Sequence, residues 1–256
     1  MRILVTNDDG IHAPGLKACE EIARSLSDQV WVVAPEYDQS GVSHSLSLND
    51  PLRLRQVAEN TYAVKGTPTD CVIMGARHVM PELPQLVLSG VNRGRNAAED
   101  VLYSGTVAGA KEAAVLGIAS FALSQAHSAG NKHQPHWQTA IEHAPAIIDR
   151  VLRQGMPPDV LVNINFPDCP PGEVKGVAVG TQGKRDQQLL HIDARHDGRG
   201  NPYYWIAFAR GHTPTGRNGS DLYALADSRI AVTPLRLDMT DEPFMTQLAE
   251  IGRAHV

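Results

Sequence analysis

The sequence predicts an α/β protein built on a doubly wound, mostly parallel sheet. Two observations lead to this fold class. Short, continuously apolar runs lie at residues 3–5, 30–34 and 86–88, and such runs are typical of strands buried on both faces of a parallel sheet. Segments with apolar residues at helical spacing alternate with these runs, which is the order of elements that a doubly wound sheet requires.

Local signals place the elements of the first part of the chain. Pro14 follows a polar loop and begins an amphipathic segment that ends near Leu26, so we expect a helix there. Thr67 suits the N-cap of a second helix, and Pro68 suits its first helical position. A helix, a strand and a further helix are expected at residues 107–116, 118–123 and 139–152. Residues 1–158 are therefore expected to form the doubly wound core.

The composition of the chain changes after residue 158. Strands are expected at residues 160–164, 174–179, 203–206 and 230–233, and a short amphipathic helix at residues 244–251. Between them, residues 181–202 are rich in Gly, Asp, Arg and His and are expected to form a loop. We interpret residues 1–256 as a single domain, in which residues 159–256 add the remaining strands, a β-rich extension and a C-terminal helix to the core.

Composition and charge exclude several classes of protein. The chain has 256 residues, of which 42% are hydrophobic and 20% charged, so it is not a disordered chain. The net charge of −5 argues against binding nucleic acid through bulk electrostatics, and no stable nucleic-acid partner is expected. The longest nearly apolar run, residues 113–123, is shorter than the roughly 18 residues of a membrane span, and no signal peptide is visible. We expect no membrane association.

Cysteine usage indicates a reducing compartment. The chain contains three cysteines, an odd number, at Cys19, Cys71 and Cys169, without a CxxC pair. Neither a disulfide framework nor a cysteine-built zinc site is indicated. We therefore expect a cytoplasmic protein.

Two adjacent aspartates directly follow the first expected strand. Asp8 and Asp9 lie in the loop of residues 7–10, and in an open parallel sheet the ligand site lies beyond the carboxyl ends of the strands. Adjacent carboxylates repel each other unless a cation lies between them. Mg²⁺ or Mn²⁺ would suit such oxygen ligands. The alternative is an acidic turn without a metal.

Two further loops offer oxygen ligands that carry no charge. Ser40 opens a hydroxyl-rich loop after the second strand, and Asn92 lies in the glycine-rich loop of residues 89–96 after the third. A hydroxyl and an amide oxygen are both suitable ligands of a hard cation. Considered alone, the serine-rich segment is more typical of an ordinary loop, and only its combination with the other loops favours a ligand site.

A third feature is suited to an anion. Ser104, Gly105 and Thr106 open an alanine-rich helix, and the free N–H groups and the dipole of a helix N-terminus favour phosphate. The alternative is that Ser104 is only an N-cap. Signatures of other phosphate and hydrolase sites are missing from the sequence, since it has no GxSxG, GxxxxGK[ST] or HExxH motif.

Taken in order, these motifs closely resemble the SurE family, the stationary-phase survival proteins that act as 5'-nucleotidases. The resemblance extends almost from end to end. The matching segments are residues 1–15, 33–35 with Ser40, 66–71, 89–96, 103–107 with Glu112, 203–206, and 233–235 with Asp238 and Thr240. One departure is clear: where the family commonly has Asn-x-Gly-x-Asp, residues 96–100 read Asn-Ala-Ala-Glu-Asp.

The resemblance implies a Rossmann-like phosphatase that hydrolyses nucleoside 5'-monophosphates, and often 3'-monophosphates, to nucleoside and phosphate. It implies one divalent cation per subunit, Mg²⁺ or Mn²⁺, held by Asp8, Asp9, Ser40 and Asn92. It also implies a homodimer or homotetramer in which the C-terminal extension contacts a neighbouring subunit.

A mechanism follows as a hypothesis. A metal-activated water attacks the phosphoryl group, and Asp8 or Asp9 is both a metal ligand and a candidate general base. Asn96, Ser104, Gly105 and Thr106 are expected to bind the phosphoryl oxygens. The competing hypothesis is a non-catalytic regulatory module that binds a metal and a nucleotide without cleaving it.

Overall fold

A computed structural model describes residues 1–185, 190–208 and 216–253 of the chain. The strands in these ranges are β1 Ile3–Thr6, β2 Val30–Pro35, β3 Leu54–Ala58, β4 Thr61–Val64, β5 Leu86–Arg93, β6 Ala119–Gln125, β7 Val160–Phe166, β8 Val177–Val179, β9 Leu190–His196, β10 Pro202–Phe208 and β11 Ile230–Arg236. The α-helices are α1 Pro14–Leu26, α2 Pro68–Met74, α3 Gly105–Val115, α4 Trp137–Gln154, α5 Asp221–Ala226 and α6 Glu242–Arg253.

Nine of the described strands form one sheet in the order β3-β4-β2-β1-β5-β6-β7-β11-β8. The six strands from β4 to β7 in this order are parallel, whereas β3 and β11 run antiparallel to β4 and β7. From β1 the chain proceeds first towards β2 and β4 and later, through β5, towards β6 and β7. The predicted doubly wound α/β fold is confirmed, and its switch point lies between β1 and β5.

The core strands are apolar on both faces because helices cover both faces. Ile3 and Val5 of β1 pack in one buried cluster with residues of α1 and α4. Leu4, between them, points to the other face and packs in a second cluster with Cys71 of α2 and Ala113 of α3. Burial of side chains of this size contributes about 1.5–3 kcal/mol each to folding. This packing fixes the position of β1, whose carboxyl end leads into the loop that carries the two aspartates.

The helix start at Thr67 is confirmed in detail. The Thr67 hydroxyl accepts a hydrogen bond from the Asp70 N–H, and the Asp70 carboxylate accepts one from the Thr67 N–H. This reciprocal capping box satisfies two N–H groups that the helix itself cannot pair. After seven residues α2 continues as a π-helical turn at Gly75–Val79.

The structure corrects several expected elements. Of the expected loop at residues 181–202, residues 186–189 lie outside the described part of the chain, and residues 190–196 form β9. The strand expected at residues 174–179 is limited to Val177–Val179. The third strand, expected at residues 86–88, does not end at Leu88 but continues to Arg93. The sequence patterns did not predict strands β3 and β4 or helix α5. Strand β3 is an edge strand whose side chains are largely exposed, so it lacks the apolar pattern on which the expectation depended.

Strands β9 and β10 form a separate antiparallel pair. Strands β7, β11 and β8 instead complete the main sheet, so the extension shares its sheet with the core. On β10, Tyr204, Trp205 and Ile206 are exposed. None of the helices in the described part of the chain is long and apolar enough to cross a membrane.

Candidate active site

A cavity of about 680 Å³ lies at the switch point, beyond the carboxyl ends of β1 and β5. Parallel doubly wound sheets bind their ligands at this position. The cavity is lined by Asp8, Asp9, Asp38, Ser40, Gly41, Asn92, Arg93, Gly94, Arg95, Asn96, Asp100, Tyr103, Ser104, His127, Lys132 and Arg185. The structure thus brings Asp8, Asp9, Ser40 and Asn92 to one cavity, although they come from three separate segments: the loop after β1, the loop after β2 and the end of β5.

Asp8 is buried at the floor of this cavity, and Asp9 is half-buried beside it. The hydroxyl of Thr106 donates a hydrogen bond to Asp8 Oδ1, and the N–H of Arg93 donates one to Asp9 Oδ2 at 3.1 Å. Burial, and then the negative charges of Asp9 and Asp38, raise the pKa of Asp8 to about 7, although the Thr106 hydrogen bond lowers it. Burial also raises the pKa of Asp9.

A third carboxylate, which the sequence reasoning missed, stands beside this pair. Asp38 Oδ1 accepts hydrogen bonds from the N–H of Ser40 at 2.7 Å and from its hydroxyl at 2.6 Å. The N–H of Gln39 donates to the carbonyl oxygen of Asp8 at 2.8 Å, which ties this loop to the acidic pair. Because the Ser40 hydroxyl directs its proton to Asp38, the lone pairs of its oxygen are available to a cation.

Asn92 is held near the end of β5 by close packing of backbone. Its side-chain nitrogen donates to the Gly94 carbonyl at 2.8 Å, so the side-chain oxygen is the atom of Asn92 that could bind a cation. Helix α1 packs so closely on this segment that a Cβ atom at Gly15 would lie 1.9 Å from the Val91 carbonyl oxygen. Only glycine fits at position 15. The contact between Gly15 of α1 and the Val91 carbonyl fixes the position of the backbone next to Asn92.

Helix α3 points its N-terminus at Asp8. Ser104 is its N-cap, and the Ser104 hydroxyl accepts a hydrogen bond from the Val107 N–H at 3.0 Å. A Cβ atom at Gly105 would lie 2.8 Å from Cβ of Asp8, so the absence of a side chain brings the helix end into contact with the acidic pair. Ser104 lines the cavity, whereas Thr106 is fully buried and its hydroxyl hydrogen-bonds to Asp8.

A network of buried asparagines holds the loop after β5. The side-chain nitrogen of Asn96 donates to the Ser124 hydroxyl at 3.0 Å, and the backbone carbonyl oxygen of Asn96 accepts from the side-chain amides of Asn163 and Asn165 at 2.8 and 3.1 Å. The second N–H of the Asn96 amide is available to a ligand. Asn96 is therefore fixed in the cavity wall by strands β6 and β7.

Cationic side chains line the same cavity, and the sequence reasoning named none of them. Arg185 donates to the Asp100 carboxylate, and both side chains are mostly buried. Burial and the neighbouring Arg185 charge lower the pKa of Arg95. Arg93 and Lys132 also line the cavity. Arg95 lies in a loop already singled out, but Lys132 and Arg185 are remote in sequence and carry no local signal.

The donor set fits a hard divalent cation. In the described ranges, no group of three or more His, Cys, Asp or Glu side chains is arranged to hold a metal ion, and the candidate set is two carboxylates with neutral oxygens. Two neighbouring acids with raised pKa values gain stability from a cation that neutralises them. Carboxylate, hydroxyl and amide oxygens are the ligands that Mg²⁺ and Mn²⁺ prefer.

A family model described as "Survival protein SurE" matches residues 3–189. This chain belongs to the SurE family.

Individual SurE relatives match over nearly the whole chain. A protein of Methylorubrum populi named 5'-nucleotidase SurE is 66% identical over 255 residues, which is 99% of this chain and all of its own length. A protein of Methylobacterium sp. with the same name is 67% identical over 251 residues, 98% of this chain and 99% of its own. The crystal structure of a SurE protein from Aquifex aeolicus, 38% identical, superimposes with a TM-score of 0.83 over 98% of this chain and all of that one.

The departure from the SurE motif has a structural consequence at Ala98. This residue stands where the family commonly has glycine, and its φ angle is +55°. The left-handed region costs a residue with a side chain roughly 1–2 kcal/mol. The Ala98 N–H donates to the Asp221 carboxylate at 2.8 Å, which helps to hold this conformation.

Proposed function

We infer that this chain is a 5'-nucleotidase, which hydrolyses nucleoside 5'-monophosphates to nucleoside and phosphate. The names of relatives that are 66–67% identical over nearly the full chain support this activity. The observation in the structure that carries it is the contact of the α3 N-terminus with Asp8. An anion-binding helix end against two carboxylates suits a site in which a cation and a phosphate are bound together.

The cofactor is a divalent cation. We propose that it is Mg²⁺ or Mn²⁺, one per subunit, and that Asp8, Asp9, the Ser40 hydroxyl and the Asn92 side-chain oxygen hold it. When bound, such a cation supplies positive charge to the phosphoryl oxygens and lowers the pKa of water. The hard oxygen donors and the raised pKa values of Asp8 and Asp9 support this assignment.

The phosphoryl oxygens are bound by the chain's own donors. The N–H groups of Gly105 and Thr106 are in the first turn of α3, where the helix provides them with no partner. The Ser104 hydroxyl and the remaining N–H of Asn96 add side-chain donors. Thr106 has a second role through its side chain, because its hydroxyl holds Asp8 in place.

The Asp8–Asp9 pair also handles the proton of the attacking water. Hydrolysis forms a bond from the water oxygen to phosphorus, breaks the bond from phosphorus to the 5' oxygen, and releases a proton from the water. A carboxylate of the pair accepts this proton, and the leaving 5' oxygen takes up a proton from that carboxyl group or from solvent, which gives the nucleoside hydroxyl and restores the carboxylate. The positive side chains of Arg95, Lys132 and Arg185 line the other parts of the cavity and favour an anionic substrate.

We propose that the protein acts in the cytoplasm as a homodimer or homotetramer. All three cysteines are free and buried, which suits a reducing compartment. The exposed Tyr204, Trp205 and Ile206 on β10 support an interface in the C-terminal extension, because contiguous exposed apolar side chains mark contact surfaces. Light scattering coupled to size-exclusion chromatography tests the assembly: a monomer at micromolar concentration would contradict it.

The activity is tested by phosphate release from metal-stripped protein. Nucleoside 5'- and 3'-monophosphates are supplied with and without Mg²⁺ or Mn²⁺, and Asp9→Asn is compared with Asp28→Asn, which changes an exposed aspartate at the far end of α1. We expect release only with metal, loss of release in Asp9→Asn and full release in Asp28→Asn. Metal-dependent nucleotide binding without release would favour the regulatory binding module instead.

A further inference from the structure

One aromatic ring faces the cavity. Of the described residues that line it, Tyr103 is the single tyrosine, phenylalanine or tryptophan. Tyr103 is 51% exposed, although large aromatic residues usually bury most of their surface. The next residue, Ser104, is the cap of the helix end that binds phosphate in the proposed function. The ring therefore stands beside the phosphate site and leaves much of its surface to a ligand.

The backbone around Tyr103 is fixed from both sides. The carbonyl oxygen of Tyr103 accepts a hydrogen bond from the Ser43 N–H at 3.1 Å, and its N–H donates to the Asp100 carbonyl at 3.1 Å. The Ser43 hydroxyl donates to the Leu102 carbonyl at 2.7 Å. These bonds join the loop that carries Ser40 to the turn before α3. A ring on such an anchored segment can bind a ligand with little loss of conformational entropy.

We propose that Tyr103 is the residue that stacks on the nucleobase of the substrate. This assignment rests on the proposed function, since it takes the phosphate of a nucleotide to lie at the Ser104 end of α3. Every purine and pyrimidine presents a π face, so stacking on tyrosine is tolerant of the base. Tyr103 would then set the preference for nucleotides over phosphate esters without a base, and discriminate only weakly among the bases.

The test compares AMP with ribose 5-phosphate, which carries the same ester and sugar but no base. For Tyr103→Ala, we expect the ratio of kcat/KM for AMP to that for ribose 5-phosphate to fall roughly 5- to 150-fold, the range expected for loss of one base–aromatic stack, mainly through KM for AMP. For Tyr103→Phe, which retains the ring, the ratio stays within about threefold of wild type by the same reasoning. Leu102→Ala removes the neighbouring exposed apolar side chain and serves as the control for local disturbance.

Two results would overturn the proposal. An unchanged ratio in Tyr103→Ala would show that the ring does not contact the base. Equal losses for both substrates would show that Tyr103 supports the Ser104 segment and does not recognise the base. Calorimetric binding of AMP and of ribose 5-phosphate to metal-free protein gives a readout without turnover. If wild-type protein cleaves neither compound, the nucleotidase assignment fails, whereas stronger binding of AMP that Tyr103→Ala abolishes would still establish the stacking.

Discussion

Replacing the buried carboxyl of Asp8 should abolish the activity of the protein but stabilise its metal-free form. Asp8→Asn removes the charge and retains the shape, and the amide oxygen of the substituted side chain can still accept the Thr106 hydrogen bond. The variant loses a metal ligand, so its nucleotidase activity should be abolished. In the metal-free protein, however, the same change removes a buried negative charge beside Asp9 and Asp38.

The pKa of Asp8 gives the magnitude and the pH window. The pKa is 3.8 in its ordinary state and about 7 in the folded protein, and this difference corresponds to about 4 kcal/mol. Because the folded pKa is the higher one, ionisation of Asp8 lowers the free energy of unfolding of metal-free protein progressively from about pH 4 to about pH 7. Above about pH 7, ionised Asp8 lowers the free energy of unfolding of the metal-free wild type by the full amount. Asp8→Asn has no ionisable group at this position and does not lose this stability.

Urea or thermal unfolding in the presence of a chelator measures this effect. At pH 8 we expect metal-free Asp8→Asn to be more stable than wild type by up to about 4 kcal/mol, or roughly 8–16 °C in Tm for a chain of this size. At pH 4 the two should be nearly equal. Added Mn²⁺ should stabilise wild type and leave Asp8→Asn unchanged. Equal stability at pH 8, or a less stable variant, would refute the burial argument.

Three further substitutions test other contacts of the site. Thr106→Val removes the hydrogen bond that lowers the pKa of Asp8 in metal-free protein, so the pH at which Mn²⁺ binding is half-maximal should rise, whereas Thr106→Ser should keep the wild-type pH dependence; an unshifted pH dependence in the valine variant would be contrary to this. Gly15→Ala places a Cβ against the Val91 carbonyl and should lower the free energy of unfolding by about 3 kcal/mol or more, whereas Gly172→Ala, in open space, should change it by about 0.5 kcal/mol or less; similar values for both would argue against the close α1–β5 packing. Ala98→Gly should raise the free energy of unfolding by about 1 kcal/mol by relieving the left-handed backbone, as measured in urea, and a loss would contradict the strain at this position.

The fold class and the acidic part of the site could be predicted from sequence because both depend on local patterns. Buried parallel strands are continuously apolar, as in β1, and a polar loop directly after such a strand must lie at the ligand-binding edge. Asp8, Asp9 and Asn92 follow this rule, and the structure places all three at one cavity. The caps at Thr67 and Ser104 were predictable for the same local reason.

The parts that could not be predicted depend on contacts between distant residues. The sequence indicates that Thr106 lies at a helix start, but only the packing of α3 on Asp8 directs its hydroxyl to that carboxylate. Arg185 enters the cavity from the C-terminal extension, 85 positions after its partner Asp100. Strand β3 is recognisable only through its pairing with β4, because its exposed side chains lack an apolar pattern.

The most direct test of the account is the position of the cation. An anomalous difference map from crystals soaked in Mn²⁺, recorded at the manganese absorption edge, locates the metal without reference to activity. We predict one peak per subunit, bound by Asp8, Asp9, the Ser40 hydroxyl and the Asn92 side-chain oxygen, and loss of that peak in Asp9→Asn. A peak held by other residues, or full nucleotidase activity in protein that shows no peak at this cavity, would contradict the site assigned here.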